Sequence, residues 1–146
     1  MQQDPKFAEA QYRLGLVEIE RGNAQAAFAA LNRATELDPQ NREAKARLGD
    51  LCISVMIVAR KQSRILYNRV VTLAGELLQR DPNSFDGLRL KGYIASLDRK
   101  PKKAIEYFRR THQMKRDDVV LAGALADALL GDGQACRLAD IDGFSD

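Results

Sequence analysis

Apolar residues in the first 40 positions recur at intervals of three and four, which is the period of an amphipathic α-helix. The residues that form the apolar stripes are Leu14, Val17, Ala27, Leu31 and Ala34. The pair Gly22-Asn23 separates the two stripes, and glycine ends a helix without a steric penalty because it has no Cβ. We therefore predict two antiparallel helices that approach closely where Gly15 and Ala27 are small.

The same pattern recurs along the chain. Residues 8–41 form one unit of 34 residues, which closes on Asp38-Pro39. A second copy begins at Arg42, repeats the large-small pair as Leu48-Gly49 and closes on Asp81-Pro82. Further copies begin at Phe85 and Val119, and the last one is incomplete. A fixed period of this length is typical of stacked helix pairs, in which each pair buries its apolar face against its neighbours.

The sequence of residues 8–41 resembles a tetratricopeptide repeat along its whole length. The resemblance implies an all-α fold, a right-handed superhelix of antiparallel helix pairs with about 3.5 repeats. Residues 1–146 are then expected to form a single domain, divided as 8–41, an enlarged repeat at 42–84, 85–118, and a partial repeat or cap at 119–141. Because Asp4-Pro5 matches the Asp-Pro pair that ends a repeat, we expect the chain to be a piece of a longer array.

The second repeat is nine residues too long, since Pro39 and Pro82 are 43 residues apart. The excess lies between Val55 and Ile65, and residues 50–74 contain neither Gly nor Pro. Either the first helix is extended by about two turns before an irregular break, or both helices fuse into one. We favour a break around residues 60–64, because a fused helix would separate the first repeat from the third.

The segment Leu51–Ala59 is apolar around its whole circumference if it is helical. Such a surface is an aggregation hazard when exposed, so it must be covered. Folding back within the domain is the favoured interpretation. The alternative is a self-association surface, and its expected residues are Ile53, Met56, Ile57 and Val58.

Composition and charge argue against disulfide-rich, nucleic-acid-binding and membrane-spanning classes of protein. The chain has 45% apolar and 29% charged residues, a net charge of +3 and only two cysteines, which is typical of a globular domain without disulfides. The small, dispersed positive charge does not indicate nucleic-acid binding. No signal peptide or membrane-spanning stretch is visible, so we expect a soluble protein, with the cytoplasm as the favoured compartment. Ala-, Arg- and Asp-rich usage is typical of bacterial proteins.

Residues that suggest chemistry do not form a site. His112 is the sole histidine and has no neighbouring Cys, Ser or carboxylate partner in sequence, so we expect it to be exposed or to cap a helix. The segment Gly131-Asp132-Gly133 follows a predicted helix, which favours a helix stop over a phosphate loop. The carboxylates at positions 140 and 142 lack the later Glu that a calcium loop requires. We predict no enzymatic activity, no cofactor and no metal.

The family resemblance also implies a binding surface, because the first helix of each pair lines a concave groove in tetratricopeptide proteins. The corresponding residues here are Glu9, Tyr12, Leu16, Ile19, Glu20, Glu43, Ala46, Asp50, Ile53, Asp86, Arg89, Tyr93, Ser96, Val120, Gly123 and Asp127. Acidic residues predominate in this set. The groove is therefore expected to bind a protein or peptide with basic and apolar groups.

The predicted function is a non-catalytic protein-interaction scaffold. One alternative is a self-assembling subunit, such as a homodimer, that associates through the segment 51–59. Another is a module for acidic chaperone tails, a known task of this family. Tyr12 and Leu16 stand where that subclass has Lys and Asn, and Arg89 alone fits its basic positions, so this alternative is disfavoured.

Overall fold

The computed structural model describes residues 5–59 and 63–131, and this part of the chain contains seven α-helices. Their bounds are α1 Pro5–Glu20, α2 Ala24–Leu37, α3 Arg42–Val58, α4 Arg64–Arg80, α5 Phe85–Leu97, α6 Pro101–Met114 and α7 Val119–Gly131. Short connections join consecutive helices, which is typical of antiparallel neighbours. The predicted all-α solenoid of helix pairs is confirmed.

The chain divides into two compact units, residues 1–73 and residues 74–146. In the first unit α2 packs against both α1 and α3. The helices α1 and α2 approach each other closely at Gly15, where an added Cβ would lie 2.6 Å from Cγ of Leu31. Ala27 and Leu31 are fully buried at this crossing, as the sequence predicts.

Local signals set the ends of these helices. Gly22 has φ +77°, a left-handed conformation that favours glycine, and it ends the turn after α1. The side chain of Asn23 accepts a hydrogen bond from the backbone N–H of Ala26 at 3.3 Å. Asn41 caps α3 in the same way, accepting from Ala44 N–H at 3.0 Å. Each cap satisfies a backbone donor that has no partner inside its helix.

The nine extra residues are shared among three places. Relative to the first repeat, α3 is four residues longer at its end, the connection after it is two residues longer, and α4 begins three residues earlier. The first helix is thus extended by about one turn rather than the expected two, and both helices of the pair lengthen together. The helices α3 and α4 are separate, as expected, although residues 60–62 lie outside the described part.

Two predicted core residues are half exposed. Leu14 is 46% exposed and Val17 48% exposed on α1, whereas Tyr12 is buried at 8%. The buried face of α1 therefore runs through Ala8, Tyr12 and Gly15, and Gly15 lies against α2. The prediction that Leu14 and Val17 belong to the packed apolar stripe of α1 is therefore wrong.

In the second unit α6 packs against both α5 and α7. The crossing of α5 and α6 repeats the arrangement at Gly15, since an added Cβ on Gly92 would lie 2.5 Å from Cε1 of Phe108. The buried core of α6 and α7 includes Phe108, Leu121, Leu125 and Leu129. The expected helix stop at 131–133 and the acidic end of the chain fall largely on residues outside the described part.

Candidate functional site

Tyr12 of α1 and Glu43 of α3, two predicted groove residues, are in contact. The Tyr12 hydroxyl forms side-chain hydrogen bonds with Glu43 and Arg47. Burial raises the pKa of Tyr12 above its usual value, the Glu43 carboxylate raises it further, and Arg47 opposes both. Tyr12 therefore joins the two helices and does not offer the open aromatic surface that the sequence suggested.

The other predicted groove residues of the first unit differ in exposure. Glu9 is exposed and accepts a hydrogen bond from Nε of Arg13 at 2.9 Å. Ile19 is 38% exposed, and Leu16 and Asp50 are half-buried. Glu20 and Glu43 are exposed, whereas Ala46 is buried. The first unit thus presents acidic groups beside accessible apolar side chains.

Two adjoining apolar cavities lie where α3 extends past the end of α1. Their volumes are about 400 Å³ and about 330 Å³. Together they are lined by Ile19, Gly22, Ala24, Gln25, Phe28, Leu51, Cys52, Ser54, Val55, Val58, Ala59 and Leu66, and we call this surface the insertion groove. Both cavities share Ala24, Leu51 and Val55. None of these described lining residues carries a formal charge, so the surface that they form is suited to apolar side chains.

The longer second pair produces this groove. Val55 and Val58 belong to the added turn of α3, and Leu66 belongs to the added start of α4. Ile19 and Phe28 of the shorter first pair form the facing wall. The departure from the 34-residue period therefore creates a concave apolar surface that a regular repeat would lack.

The segment 51–59 is divided between core and surface. Ile53 and Met56 are only 4% and 3% exposed, whereas Ile57 is 55% and Val58 84% exposed. The favoured expectation that the segment folds back holds for the first two residues. The expectation that Ile53 and Met56 lie on a self-association surface is not met here, because helix periodicity directs them into the core.

In the second unit, internal contacts engage the predicted groove residues of α5. Arg89 donates to Asp86 at 3.1 Å, and its guanidinium lies 5.9 Å from the ring centre of Phe85. The ring of Tyr93 packs edge-on against Phe108 with their centres 5.1 Å apart. Arg89 is thus already paired with a carboxylate, which reduces its capacity to clamp an acidic tail.

A cavity of about 480 Å³ with charged side chains in its lining lies in the second unit, between the end of α5, the start of α6 and α7. Its lining residues are Ser96, Arg99, Pro101, Asp127 and Ala128. The predicted groove residues Ser96 and Asp127 are thus brought together with Arg99. This cavity offers both signs of charge, in contrast to the insertion groove.

Residues with reactive side chains are in inert positions. Of the two expectations for His112, exposure or a capping role, exposure is wrong: the residue is 3% exposed, because it follows Phe108 by one turn on the inner face of α6. Burial raises the pKa of the Cys52 thiol to about 11, which keeps it protonated at neutral pH. In residues 5–59 and 63–131, no cluster of three His, Cys, Asp or Glu side chains is arranged to hold a metal. No described helix has the length and apolar character needed to cross a membrane.

Sequence reasoning missed the insertion groove itself. Its signal was present in the nine-residue excess together with the apolar segment 51–59. The sequence did not show that the nine extra residues are shared between α3 and α4. The groove between these added turns and the first helix pair is therefore visible only in the structure.

Known proteins with the same helix-pair fold are found both by sequence and by structure comparison. Residues 8–41 match the model of the tetratricopeptide repeat. A crystal structure of MamA protein superposes with a TM-score of 0.72 at 18% identity, covering 94% of this chain and 70% of that chain. MamA from Desulfovibrio magneticus RS-1 gives 0.72 at 16% identity, with 92% and 71% covered.

An O-GlcNAc transferase from Thermobaculum terrenum shares the fold over a smaller part of its length. Its TM-score is 0.70 at 19% identity, and the match covers 88% of this chain but 23% of that one. No curated protein sequence matches this chain significantly. At these identities the structural matches establish the shared fold and nothing about a common ligand.

Proposed function

We propose that the chain is a non-catalytic scaffold that binds a protein segment. Residues 8–41 form a tetratricopeptide repeat, and the described helix pairs have the same fold. The observation that carries this proposal is the insertion groove, an accessible apolar concavity whose lining residues, among those the structure describes, carry no charge. Concave apolar surfaces with few polar groups are typical ligand sites. The fold supports the same conclusion, since its helix pairs present surfaces for other proteins.

The partner is a peptide or protein segment that carries both apolar and basic side chains. Its apolar groups enter the insertion groove between Ile19 and Val58, and its Lys or Arg groups meet the acidic residues Glu9, Glu43 and Asp50. Exposed ion pairs contribute only about 0.2–1 kcal/mol each, so apolar contact supplies most of the affinity. The charges mainly accelerate and orient the approach of the partner.

The absence of catalysis is part of the proposal. His112 and Cys52 are the described residues with the side chains most suited to proton transfer or nucleophilic attack, and both are buried. A general acid or base needs a positioned partner and access to substrate. Arg99 and Asp127 line a cavity together, but neither is a nucleophile.

A peptide array probed with the full chain tests the binding preference. We expect sequences that combine Lys or Arg with large apolar residues to bind better than acidic sequences of equal hydrophobicity. The variant Val58→Asp places a charge at the edge of the insertion groove at a side chain that is 84% exposed, so folding is preserved. We expect it to weaken binding at least tenfold.

Ile65→Asp is the matched control, because Ile65 is an apolar side chain, 76% exposed, that does not line either cavity. It is expected to change affinity less than twofold. Equal losses in both variants would contradict a role for the insertion groove. A preference for acidic peptides would contradict the proposed charge of the partner and favour an acidic-tail module that uses Arg89.

Self-association is a second candidate, and one observation favours it. Ile57, Val58 and Ile65 are more than half exposed and lie near each other in sequence on either side of the connection after α3. Light scattering of the full chain distinguishes this candidate. A dimer that becomes monomeric in Ile57→Asp would support it, whereas a monomer at all concentrations supports the peptide-binding scaffold.

A further inference from the structure

A turn in the second unit has an arginine where the first unit has a glycine. Gly22 and Arg99 occupy the same position of their repeats, which begin at residues 8 and 85. Each lies two residues after the first helix of its pair, α1 or α5. The φ angle is +77° at Gly22 and +58° at Arg99, and Arg99 is the one non-glycine residue with positive φ in the described part of the chain.

The turn imposes this conformation in both units. The backbone N–H of Gly22 donates to the carbonyl of Ile19 at 3.0 Å. The backbone N–H of Arg99 donates in the same way to the carbonyl of Ser96 at 3.1 Å. The left-handed conformation costs free energy for a residue with a Cβ but not for glycine. Arg99 therefore occupies a position where the backbone alone favours glycine, and backbone strain of this kind occurs mainly at functional positions.

The side chain of Arg99 lines the cavity of about 480 Å³ in the second unit. This volume lies within the range of about 300–1,000 Å³ that is typical of small-molecule sites. Ser96 and Asp127 line the same cavity, and all three residues are exposed, so a ligand from solvent can reach them. Pro101 and Ala128 add an apolar part to the lining.

The two opposite charges in this cavity are not paired with each other. Within the described part of the chain, neither Arg99 nor Asp127 forms an ion pair. A ligand with a single charge would pair with one of them and leave the other partly desolvated without a partner, which is unfavourable. A ligand that carries both signs of charge pairs with both.

We propose that this cavity is a binding site for a small zwitterion of the amino-acid type. The ligand carboxylate accepts hydrogen bonds from the Arg99 guanidinium and the Ser96 hydroxyl, and the ligand ammonium group donates to the Asp127 carboxylate. The apolar part of the ligand lies toward Pro101 and Ala128. The site shares no residue with the insertion groove, so this binding is additional to the proposed recognition of a protein segment.

Thermal unfolding of the full chain in the presence of each standard amino acid at millimolar concentration tests the site. A ligand that binds the folded state raises the melting temperature. For the amino acid with the largest shift, calorimetry then compares the free amino acid with its N-acetyl derivative, which lacks the ammonium group, and with its amide, which lacks the carboxylate. We expect the free amino acid to bind at least tenfold more tightly than either derivative.

Arg99→Gly removes the guanidinium and the strained conformation together. We expect this variant to raise the melting temperature of the unliganded chain and to bind the amino acid at least tenfold more weakly. A purely structural role of Arg99 would produce a lower melting temperature instead. Arg99→Lys keeps the charge without the planar guanidinium, and we expect its affinity to lie between those of the wild type and Arg99→Gly.

Asp127→Asn tests the other half of the site. We expect it to weaken binding of the free amino acid at least tenfold and to abolish the preference for the free form over the N-acetyl derivative. Lys103→Ala is the matched control, because Lys103 is an exposed cation of α6 that is not among the lining residues. We expect it to change affinity less than twofold.

Four results would overturn the proposal. The first is a wild-type melting temperature that no amino acid raises. The second is equal binding of the N-acetyl derivative to the wild type, which would indicate a site for simple anions. The third is wild-type affinity in Arg99→Gly. The fourth is a lower melting temperature of unliganded Arg99→Gly, which would show that the arginine stabilises the turn.

Discussion

At the residue scale, two glycines set the distance between paired helices. Gly15 and Gly92 each lie against a large side chain of the second helix, and an added Cβ would be under 3.0 Å from it. The sequence predicted this role for Gly15 from the repeat pattern. It did not show that the ring of Phe108 fills the equivalent space at Gly92, because that depends on a side-chain orientation.

We expect Gly92→Ala to lower the free energy of unfolding by about 1–3 kcal/mol, because the Phe108 ring must move to admit the new methyl group. Gly123→Ala is the control within the same unit, since nothing lies within 4 Å of its added Cβ. A helical Ala is preferred over Gly, so this control is expected to stabilise by about 0.5–1 kcal/mol. Urea denaturation measures both. Equal midpoints would show that the crossing is looser than the structure indicates.

The buried thiol of Cys52 gives a second prediction at this scale. Its pKa is raised from 9.0 to about 11 by burial, so folding favours the protonated thiol. The resulting stability is fully present below pH 9 and is lost as the pH rises through about 11. In a Cys136→Ser background, we expect a thiol reagent to modify Cys52 slowly at pH 8 and rapidly in urea.

The matched measurement is the free energy of unfolding of Cys52→Ala from pH 8 to pH 11. We expect its decline with pH to be shallower than that of the parent, because the shifted thiol is absent. Rapid native-state modification at pH 8 would show that Cys52 is accessible.

At the element scale, helix number, type and pairing were predictable because the apolar period and the Gly and Asp-Pro signals act locally. Which side of each helix is buried was not predictable, because it depends on the helices that pack against it. Leu14 and Val17 have the spacing of core residues but are about half exposed, and His112 has a polar side chain but lies on the inner face of α6. The candidate site shared this limitation, because Tyr12 is buried between helices.

Helix α3 depends on its N-terminal cap. We expect Asn41→Ala to destabilise the chain by about 0.5–2 kcal/mol, because the backbone N–H of Ala44 loses its side-chain acceptor. Asn41→Asp keeps an acceptor oxygen and is expected to restore most of the loss. Thermal unfolding followed by circular dichroism measures both variants, and an unchanged Asn41→Ala would exclude a contribution from this cap.

The connection between α3 and α4 is expected to be the first site of proteolysis. Arg60, Lys61 and Arg64 supply trypsin sites there, and helices end on both sides of it. Brief digestion followed by mass spectrometry should give initial cleavage at these residues. First cleavage within 102–110, where basic residues are also dense, would contradict this expectation.

At the scale of the whole molecule, stability is distributed over two units with separate internal contacts. In repeat proteins most contacts join neighbouring elements, so a local loss of packing acts mainly nearby. We expect Gly92→Ala to increase amide hydrogen exchange in α5, α6 and α7 more than in α1, α2 and α3. Exchange measured by mass spectrometry tests this, and a uniform increase would show that the two units unfold as one.

The shared lengthening of α3 and α4 has a consequence for engineering. Because both helices gain residues on the same side of the pair, the next repeat resumes its phase at Asp81-Pro82. The end of α3 and the start of α4 are therefore a place where residues can be added or exchanged in both helices together. Such a change leaves the repeat positions after Asp81-Pro82 unaltered. Under the binding proposed for the insertion groove, substitutions in the added turns would alter which partner is bound without changing the helix pairs that support them.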